Sequence, residues 1–278
     1  MNKKIGLIAG NGDFPLAFLK KAKKEGLDVF VAGFKNEASP EIEQVADKFI
    51  WIYVGQIKKI INFFKKNLVD EVVLLGGVKK TRLFFDVRPD ILALKAVAKL
   101  KTTHDDNVLR AFSSIMENHG IKVCSSSKLV PEFLSKRGLW TKKNPSKEDL
   151  NDIKLGYEAA KAIGFLDIGQ TVVVSGGSIV AVEAVEGTDE AIKRGGTLSH
   201  GGGVVVKTSK PNQDLRLDIP AIGPETIIQM KKFGLDVLAV EAEKTNVINL
   251  DELISLADEN KISVLGIDDL FLKELKFE

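Results

Sequence analysis

The stretch IGLIAGNGDFP, residues 5–15, joins an apolar run to a glycine turn and a proline. A short apolar run bounded by glycine is typical of a buried β-strand. Pro15 suits the first turn of a helix, where a missing N–H removes no hydrogen bond. The stretch therefore predicts a strand, a tight turn and a helix, which together open a βαβ unit.

The same alternation continues through the first half of the chain. Strand-like runs occur at 4–10, 28–34, 71–77 and 121–125, and helical spacing occurs at 15–25, 56–67, 89–99 and 105–118. Short apolar runs that alternate with amphipathic segments are typical of right-handed βαβ units around a parallel sheet. We therefore expect an N-terminal Rossmann-like domain with a parallel sheet over residues 1–136.

The second half has a different pattern. The apolar periodicity lapses after Lys136, which predicts a linker at 137–147 and a C-terminal domain at 148–278. In TVVVSGGSIVAVEAV (171–185), two strand-like runs surround Gly176 and Gly177, which predicts a hairpin. Helical segments and further apolar runs follow, up to SVLGI at 263–267. The predicted fold class is therefore α/β, with a parallel-sheet domain followed by a mixed α/β domain.

Composition excludes several classes of protein. The chain has 40 basic and 38 acidic residues and a formal net charge of +2, which argues against a general nucleic-acid surface. Its single cysteine, Cys124, has no partner for a disulfide or a zinc pair, as expected in a reducing cytosol. The first apolar run is too short for a signal peptide or a membrane span, so we expect a cytoplasmic protein.

The glycine turn is the first candidate site. Gly10, Asn11 and Gly12 follow the first predicted strand, where backbone N–H groups can bind a phosphate or a nucleotide. The dinucleotide fingerprint, however, requires glycine at the position of Pro15 and an acid at the end of the second strand. NAD is therefore disfavoured, and a tight turn without a ligand remains an alternative.

A second candidate is THDDNVLRA, residues 103–111. Asp105 or Asp106 can cap the helix that follows, which accounts for one of the two carboxylates. His104 belongs to no cluster, because the other histidines lie at 119 and 200. The basic segment at 58–64 is interpreted as an ordinary helix face rather than a membrane-binding one.

The richest candidate lies in the second half. Thr188 and Asp189 begin a helix, where capping is the alternative explanation. The stretch KTSKPNQDLRLDIPAIGPET (207–226) then combines cationic, amide and carboxylate side chains on a backbone restricted by prolines. Its candidate site residues are Lys207, Lys210, Gln213, Asp214 and Asp218.

These residue types suit phosphate chemistry. Lysines neutralise phosphate oxygens, and carboxylates hold Mg²⁺ or take a proton from water. A solvated loop with salt bridges is the alternative. The residues alone therefore indicate a two-domain α/β enzyme that acts on a phosphorylated or nucleotide ligand with a divalent metal.

Five motifs together carry a family resemblance: IGLIAGNGDFP (5–15), LLGGV (74–78), DDNVLRA (105–111), VVVSGGSIVAVEAVEGTDEAIKRGG (172–196) and VVVKTSKPNQDLRLDIPAIGPET (204–226). With them the chain resembles the bacterial UDP-2,3-diacylglucosamine pyrophosphatases of lipid A biosynthesis, of the two-domain type that is unrelated to calcineurin-like metallophosphoesterases. The resemblance covers nearly the whole chain.

The resemblance implies a hydrolase that uses Mg²⁺ to split UDP-2,3-diacylglucosamine into lipid X and UMP, with water attacking the β-phosphorus. Asp218 matches the aspartate of the family's D-x-P-x-x-G motif, on which activity depends, and Asp214 is assigned a neighbouring catalytic and metal-binding role. Thr188, Asp189, Lys207, Lys210 and Gln213 match positions around the pyrophosphate. Gly10, Asn11, Gly12, Asp105 and Asp106 are the candidates for contact with the rest of the substrate.

The lipid substrate implies transient contact with the inner membrane, and a homo-oligomer is left open. Two other functions are kept as alternatives. One is a non-catalytic carrier of a nucleotide-linked lipid, and the other is a nucleotide-sugar oxidoreductase, which the broken dinucleotide fingerprint disfavours.

Overall fold

The computed structural model describes residues 2–78, 87–98, 105–211, 213–217 and 219–274, without the side chains of Asp105 and Asp106. The chain divides into two compact units. The first unit comprises Met1–Glu132 together with Asp214–Asp218, and the second comprises Phe133–Gln213 and Ile219–Glu278.

The first unit contains a parallel sheet. Its described strands are β1 (Lys4–Ala9), β2 (Asp28–Phe34), β3 (Lys48–Ile52), β4 (Glu71–Leu75) and β5 (Lys122–Val123). Its described helices are α1 (Phe14–Lys24), α2 (Glu41–Val45), α3 (Ile57–Lys66), α4 (Ile91–Val97), α5 (Asp105–Asn118) and α6 (Ser126–Leu129). The strand order is β3-β2-β1-β4-β5, with every described pairing parallel. The predicted Rossmann-like sheet is confirmed.

The strand order positions a candidate site. The chain adds β2 and β3 on one side of β1 and then places β4 on the other side. Ligands of open α/β sheets bind outside the carboxyl ends of the strands at such a reversal. In the first unit this point lies between the ends of β1 and β4.

The apolar pattern of the sequence did not predict β3, which has the residues KFIWI. This strand lies at the edge of the sheet, and most of its residues are only partly buried. The buried strands β1 and β2 give nearly continuous apolar runs because both of their faces are covered. An edge strand lacks that signal.

The second unit contains a mixed sheet. Its described strands are β6 (Gly138–Leu139), β7 (Thr171–Ser175), β8 (Ser178–Val182), β9 (Val204–Lys207), β10 (Ala221–Ile222), β11 (Val237–Glu241), β12 (Asn246–Val247) and β13 (Ser263–Ile267). Its described helices are α7 (Lys147–Phe165), α8 (Thr188–Ser199), α9 (Pro224–Lys232), α10 (Leu250–Glu259) and α11 (Asp269–Glu274).

Six of these strands form the main sheet, in the order β6-β13-β11-β9-β7-β8. Strands β9, β11 and β13 are parallel, whereas β6, β7 and β8 are antiparallel to their neighbours, which confirms the predicted mixed sheet. The predicted hairpin is β7–β8. Gly176 and Gly177 form its turn with φ angles of 57° and 76°, as the favoured two-residue hairpin turn requires.

Helix α7 is the main element of the second unit that the sequence analysis did not identify. Its start has a capping box, in which Ser146 Oγ accepts from Asp149 N at 3.1 Å and Asp149 Oδ2 accepts from Ser146 N at 2.8 Å. The helix packs on β9 at Gly156, where an added Cβ would lie 2.5 Å from Val206. This packing brings Lys161 of α7 to the carboxyl end of the sheet.

Residues 214–218 belong to the first unit, although they follow β9 of the second. Leu217 is 6% exposed and packs in the apolar core that β1, β2 and α3 form. Arg216 pairs with Glu117 of α5 at 3.1 Å. The described segment from Asp214 to Leu217 is therefore anchored on the first unit.

None of the helices in the described ranges is both long and apolar enough to cross a membrane. Cys124 is buried with a free thiol, and burial raises its pKa.

Candidate active site

Lys207 ends β9 and points into a polar cluster of the second unit. Its Nζ donates to Thr188 Oγ1 at 3.1 Å and to the carbonyl oxygen of Ala221 at 3.0 Å. The Thr188 hydroxyl in turn donates to Glu183 Oε1 at 2.9 Å. Lys207 is 7% exposed and Glu183 is 8% exposed. The cluster thus joins the end of a central strand to the first turn of α8.

Among the described residues, the Lys207 ammonium uses only two of its three N–H groups. It carries three N–H groups, and two of them bind neutral oxygens. No carboxylate of the described ranges lies within ion-pair distance of its Nζ. A buried cation is costly without a compensating negative charge. Lys207 is therefore suited to bind an anion at the carboxyl end of the sheet.

Two buried hydroxyls lie next to Lys207. Thr208 follows it in the chain, and Thr171 is opposite it in the pairing of β7 with β9. Both threonines are fully buried, and within the described part of the chain their Oγ1 atoms have no hydrogen-bond partner. Buried polar groups are nearly always paired, so such exceptions call for an explanation. A bound polar ligand would supply one.

Thr188 is not the cap of α8, so that alternative is wrong. The N-cap is Gly187, with a φ of 88° and no side-chain cap. The Thr188 hydroxyl is instead used between Lys207 and Glu183. Asp189 is exposed in the first helical turn, where a negative charge is favourable.

Lys210 and Gln213 occupy a turn after β9. Lys210 Nζ lies 2.5 Å from Asp167 Oδ1. The Gln213 side chain accepts from Lys210 N at 3.0 Å, and Gln213 N donates to the Lys210 carbonyl at 3.1 Å. The described contacts of both residues therefore stabilise the turn, and the charge of Lys210 is balanced by Asp167.

A second charged cluster lies beside this turn, and the sequence analysis missed it. Glu241 ends β11 and is 2% exposed. Its Oε2 accepts from Ser209 N and Ser209 Oγ, both at 2.8 Å, and lies 2.5 Å from Lys161 Nζ. Lys161 also donates to the Ser209 carbonyl at 3.0 Å, and Lys244 donates to Glu241 Oε1 at 2.9 Å. The backbone between Lys207 and Lys210 is thereby held in place.

The pKa values in this cluster follow from burial and pairing. Burial lowers the pKa of Lys161, although Glu241 opposes the shift. Burial alone would raise the pKa of Glu241, but the hydrogen bonds from Lys161, Lys244 and Ser209 outweigh it and hold the pKa below its ordinary value. Glu241 is therefore ionised at neutral pH. One signal was available in the sequence, since an acid closes the otherwise apolar run DVLAVEA at 236–242.

Asp214 lies in the first unit and is bound by Arg216. Arg216 Nε donates to Asp214 Oδ1 at 3.0 Å, and one of its terminal nitrogens donates to Oδ2 at 2.7 Å. These bonds lower the pKa of Asp214, and the pair raises the pKa of Arg216. Asp214 thus stays charged and fixes its turn. Asp218, the other predicted catalytic residue, lies outside the described residues.

The glycine turn of the first unit closes against the loop after β4. Asn11 N donates to the Gly77 carbonyl at 2.8 Å, Gly77 N donates to Asn11 Oδ1 at 3.2 Å, and Asn11 Nδ2 donates to Glu37 at 3.1 Å. A Cβ on Gly10 would lie 2.2 Å from the Gly77 oxygen. Gly12 has a φ of 86° and open space around it. The loops meet at the strand reversal between β1 and β4, and the Asn11 amide joins them.

The remaining predicted positions belong to the first unit. Asp105 and Asp106 are the first residues of α5, and His104 lies outside the described residues. The apolar side chains of α3 are buried, which agrees with an ordinary helix face at 58–64.

The donor chemistry can be tested for Mg²⁺. Among the described residues, no three acidic, histidine or cysteine side chains are grouped to hold a metal. Mg²⁺ commonly takes only one or two carboxylates and completes its shell with water and substrate phosphates. Asp214 is one charged carboxylate of this type among the described residues, and both of its oxygens accept from Arg216. A metal ion at Asp214 would need its other oxygens from water and substrate.

Solved structures give only remote likenesses. A biotin carboxylase from Campylobacter jejuni has 16% identity, with a TM-score of 0.29 over 72% of this chain and 42% of its own. N5-carboxyaminoimidazole ribonucleotide synthetase from Thermotoga maritima has 19% identity and a TM-score of 0.26, over 66% of this chain and 42% of its own. The chain thus spans less than half the length of these enzymes, and no functional argument is based on them.

Sequence relatives are far more specific. Residues 4–133 match the family model described as LpxI N-terminal domain, and residues 136–265 match that described as LpxI C-terminal domain. A protein of Caulobacter vibrioides named UDP-2,3-diacylglucosamine pyrophosphatase LpxI is 31% identical over 277 residues, which cover 96% of this chain and 98% of that protein. The chain therefore belongs to the LpxI family.

Proposed function

We propose that this protein hydrolyses UDP-2,3-diacylglucosamine to 2,3-diacylglucosamine 1-phosphate, known as lipid X, and UMP, in lipid A biosynthesis. Membership of the LpxI family makes the chain a hydrolase. One observation carries the choice of substrate: the similarity to the Caulobacter pyrophosphatase extends over nearly the full length of both chains.

The proposed reaction is attack of water on the β-phosphorus. The water oxygen forms a bond to that phosphorus, and the bond from it to the bridging oxygen breaks. UMP leaves with the bridging oxygen, and lipid X keeps the β-phosphorus. Asp218 is proposed either to orient the water and take its proton or to act as a ligand of Mg²⁺.

Lys207 is proposed to bind the pyrophosphate oxygens. Its remaining N–H and its buried position make the charge effective, because electrostatic attraction is stronger where water is excluded. Thr188 and Glu183 orient the ammonium. Lys210 and Gln213 are proposed to stabilise the turn after β9. Asp189 lies in the first turn of α8, next to Thr188.

Asp214 and Asp218 are the proposed holders of Mg²⁺. When bound, the ion would neutralise phosphate charge that develops in the transition state. Arg216 keeps Asp214 ionised and in a fixed orientation for that role.

The first unit is proposed to contact the remainder of the substrate through Gly10, Asn11, Gly12 and the start of α5 with Asp105 and Asp106. Its glycine turn lies at the strand reversal where α/β sheets bind ligands. The lipid substrate also implies transient contact with a bilayer. Whether the chain forms a homo-oligomer is a question for sedimentation equilibrium of the purified protein.

Hydrolysis in water enriched in oxygen-18 tests the proposal. The purified protein is incubated with UDP-2,3-diacylglucosamine and Mg²⁺, and both products are analysed by mass spectrometry. The label is expected in the phosphate of lipid X. Label in UMP would contradict attack on the β-phosphorus, and absence of UMP with retained substrate binding would favour the carrier function.

A further inference from the structure

One face of the first unit combines exposed aliphatic side chains with cations that form no ion pair among the described residues. We name it the α3–α4 face and define it by seven residues: Lys58, Lys59, Lys66, Arg88, Ile91, Leu94 and Val97. The four cations line an open groove of about 670 Å³. The three aliphatic residues belong to α4, which begins directly after the groove-lining Asp90.

The two halves of this face are held together by hydrogen bonds. Asp90 N donates to the Gly55 carbonyl at 3.0 Å, and Arg88 N donates to the Val54 carbonyl at 2.9 Å. Asp90 Oδ2 accepts from Lys58 N at 2.5 Å, which joins the start of α4 to the start of α3. The cations and the aliphatic side chains therefore form one continuous surface.

The groove carries a net positive charge. Within the described part of the chain, no carboxylate forms an ion pair with any of its four cations. Asp90 is the one acid among the described residues of its lining, and its oxygens accept from Leu92 N, Ala93 N and Lys58 N. The Arg88 guanidinium lies 3.8 Å from the centre of the Tyr53 ring, which orients it without neutralising it. Such a groove attracts anions.

The apolar part of the face is unusual for a helix in water. Ile91, Leu94 and Val97 are 70%, 56% and 55% exposed, and their spacing of three residues places them along one side of α4. In α3, by contrast, Ile57, Ile60, Ile61 and Phe64 are buried, so α3 presents only its basic side. Exposed aliphatic groups beside a cluster of cations match the interface of an anionic bilayer, where tails and phosphates lie at adjacent depths.

We propose that the α3–α4 face docks the protein on an anionic phospholipid bilayer, with α4 in contact with the acyl region and the cations on the headgroup phosphates. The inference deepens the proposed function, since it rests on a substrate that resides in a membrane. It differs from the earlier expectation about the basic segment at 58–64, because the apolar contact comes from α4 and not from α3.

Vesicle co-sedimentation of the full chain tests the proposal. Vesicles contain either phosphatidylglycerol with phosphatidylcholine or phosphatidylcholine alone. The protein is expected to bind the anionic vesicles and to release them as the salt concentration rises. Lys58→Gln with Lys59→Gln should weaken binding roughly 10- to 30-fold, since each basic residue near the surface contributes about fivefold or slightly less. Ile91→Ser with Leu94→Ser should weaken binding to a similar degree.

A matched control lies on α9 of the second unit. Lys231 and Lys232 are exposed there, and Ile228 is 44% exposed. Lys231→Gln with Lys232→Gln, and Ile228→Ser, should leave vesicle binding unchanged. Equal losses in these controls would show a general charge effect and overturn the proposal. So would equal binding to phosphatidylcholine alone, or no binding to anionic vesicles.

Hydrolysis of substrate in detergent micelles separates docking from catalysis. The α3–α4 variants should turn over micellar substrate at the unaltered rate and lose rate on vesicle-embedded substrate. A raised KM in micelles would assign the face to the substrate site and overturn the proposal. Two further results would overturn bilayer docking. If inorganic phosphate releases the protein from vesicles more than its ionic strength explains, the face is a site for free phosphate. If the variants have an altered sedimentation coefficient, the face is a contact between copies of the chain. If the unaltered protein hydrolyses nothing, the proposed function fails while vesicle binding still decides docking.

Discussion

Lys161 Nζ lies 2.5 Å from Glu241 Oε2, so a helix and the end of a central strand are joined by an ion pair beside the turn that follows Lys207. The Glu241 side chain is 3% exposed and that of Lys161 is 23% exposed. Because Ser209 is bound to both charges, the pair also fixes the backbone that presents Lys207 and Lys210.

The first prediction concerns the stability of this pair. Removing one partner of a buried pair and leaving an uncompensated charge typically costs roughly 3–5 kcal/mol. Lys161→Met should lower the free energy of unfolding by less than this, because Lys244 and Ser209 still donate to Glu241. The double variant Lys161→Met with Glu241→Leu should lose much less than the sum of the two single losses. Urea denaturation measures all four proteins, and additive losses would contradict the coupling.

The second prediction concerns pH. In the unfolded chain the pKa of Glu241 has its ordinary value of about 4.3. In the folded chain this pKa is lower. Its stabilisation is therefore complete above the unfolded pKa and is lost as the pH falls through the folded pKa. The free energy of unfolding should decrease below about pH 4.3. Glu241→Gln should show a shallower decrease, and parallel curves would mean that other carboxylates account for it.

The third prediction separates binding from stability at Lys207. Methionine has a similar shape without the buried charge, so Lys207→Met should fold with an unaltered or raised Tm. Loss of its ammonium should lower kcat/KM by about 10²-fold or more, as is typical when one stabilising donor is removed. The exposed Lys232→Met is the matched control and should keep full activity.

Variants of Thr188 test whether its hydroxyl positions the Lys207 ammonium. Thr188→Val removes the hydroxyl between Lys207 and Glu183, whereas Thr188→Ser keeps it. We expect a loss of roughly fivefold for valine, because a net hydrogen bond contributes about 1 kcal/mol, and near-normal activity for serine. Equal activity of the two variants would exclude a positioning role for the hydroxyl.

The fourth prediction concerns the aspartates. Asp218→Asn should slow turnover by on the order of 10³-fold, which is about 4 kcal/mol of transition-state stabilisation. Asp214→Asn should also reduce kcat, and it should weaken the binding of Mg²⁺ as measured by calorimetry with a non-hydrolysed substrate analogue. Near-normal hydrolysis by Asp218→Asn would refute its catalytic role.

The fifth prediction concerns the glycine turn. Gly10→Ala would place a Cβ 2.2 Å from a backbone oxygen, so the loops after β1 and β4 would separate. Gly12→Ala meets open space and incurs only the strain of a positive φ, which is about 1 kcal/mol or slightly more. Thermal unfolding should therefore show a clearly larger loss for Gly10→Ala. A larger loss for Gly12→Ala would contradict the close approach of the loops.

Much of the fold was predictable because the buried strands are continuous apolar runs. β1, β2 and β4 were recognised in this way, whereas the edge strand β3 was not. Helix α7 was missed although the residues SKED at 146–149 form its capping box. Local signals thus located most elements, and weak apolar contrast accounts for the edge strand.

The candidate site was only partly predictable. Lys207 and Thr188 were identified by residue type. The hydrogen bond between them could not be predicted, because 19 positions separate them in the sequence. Glu241 and Lys161 were missed for the same reason, since 80 positions lie between them.

By itself, the sequence determined the α/β class, the parallel and mixed sheets and the family, because these depend on apolar periodicity and on the order of local motifs. Tertiary structure alone decided that Lys207 binds only neutral partners among the described residues, that Lys210 is balanced by Asp167 and that Asp214 is held by Arg216 on the first unit. The physical reason is that the charge available to a ligand depends on which side chains are in contact. Those contacts join residues far apart in the sequence, and they are determined by the strand order and the helix packing.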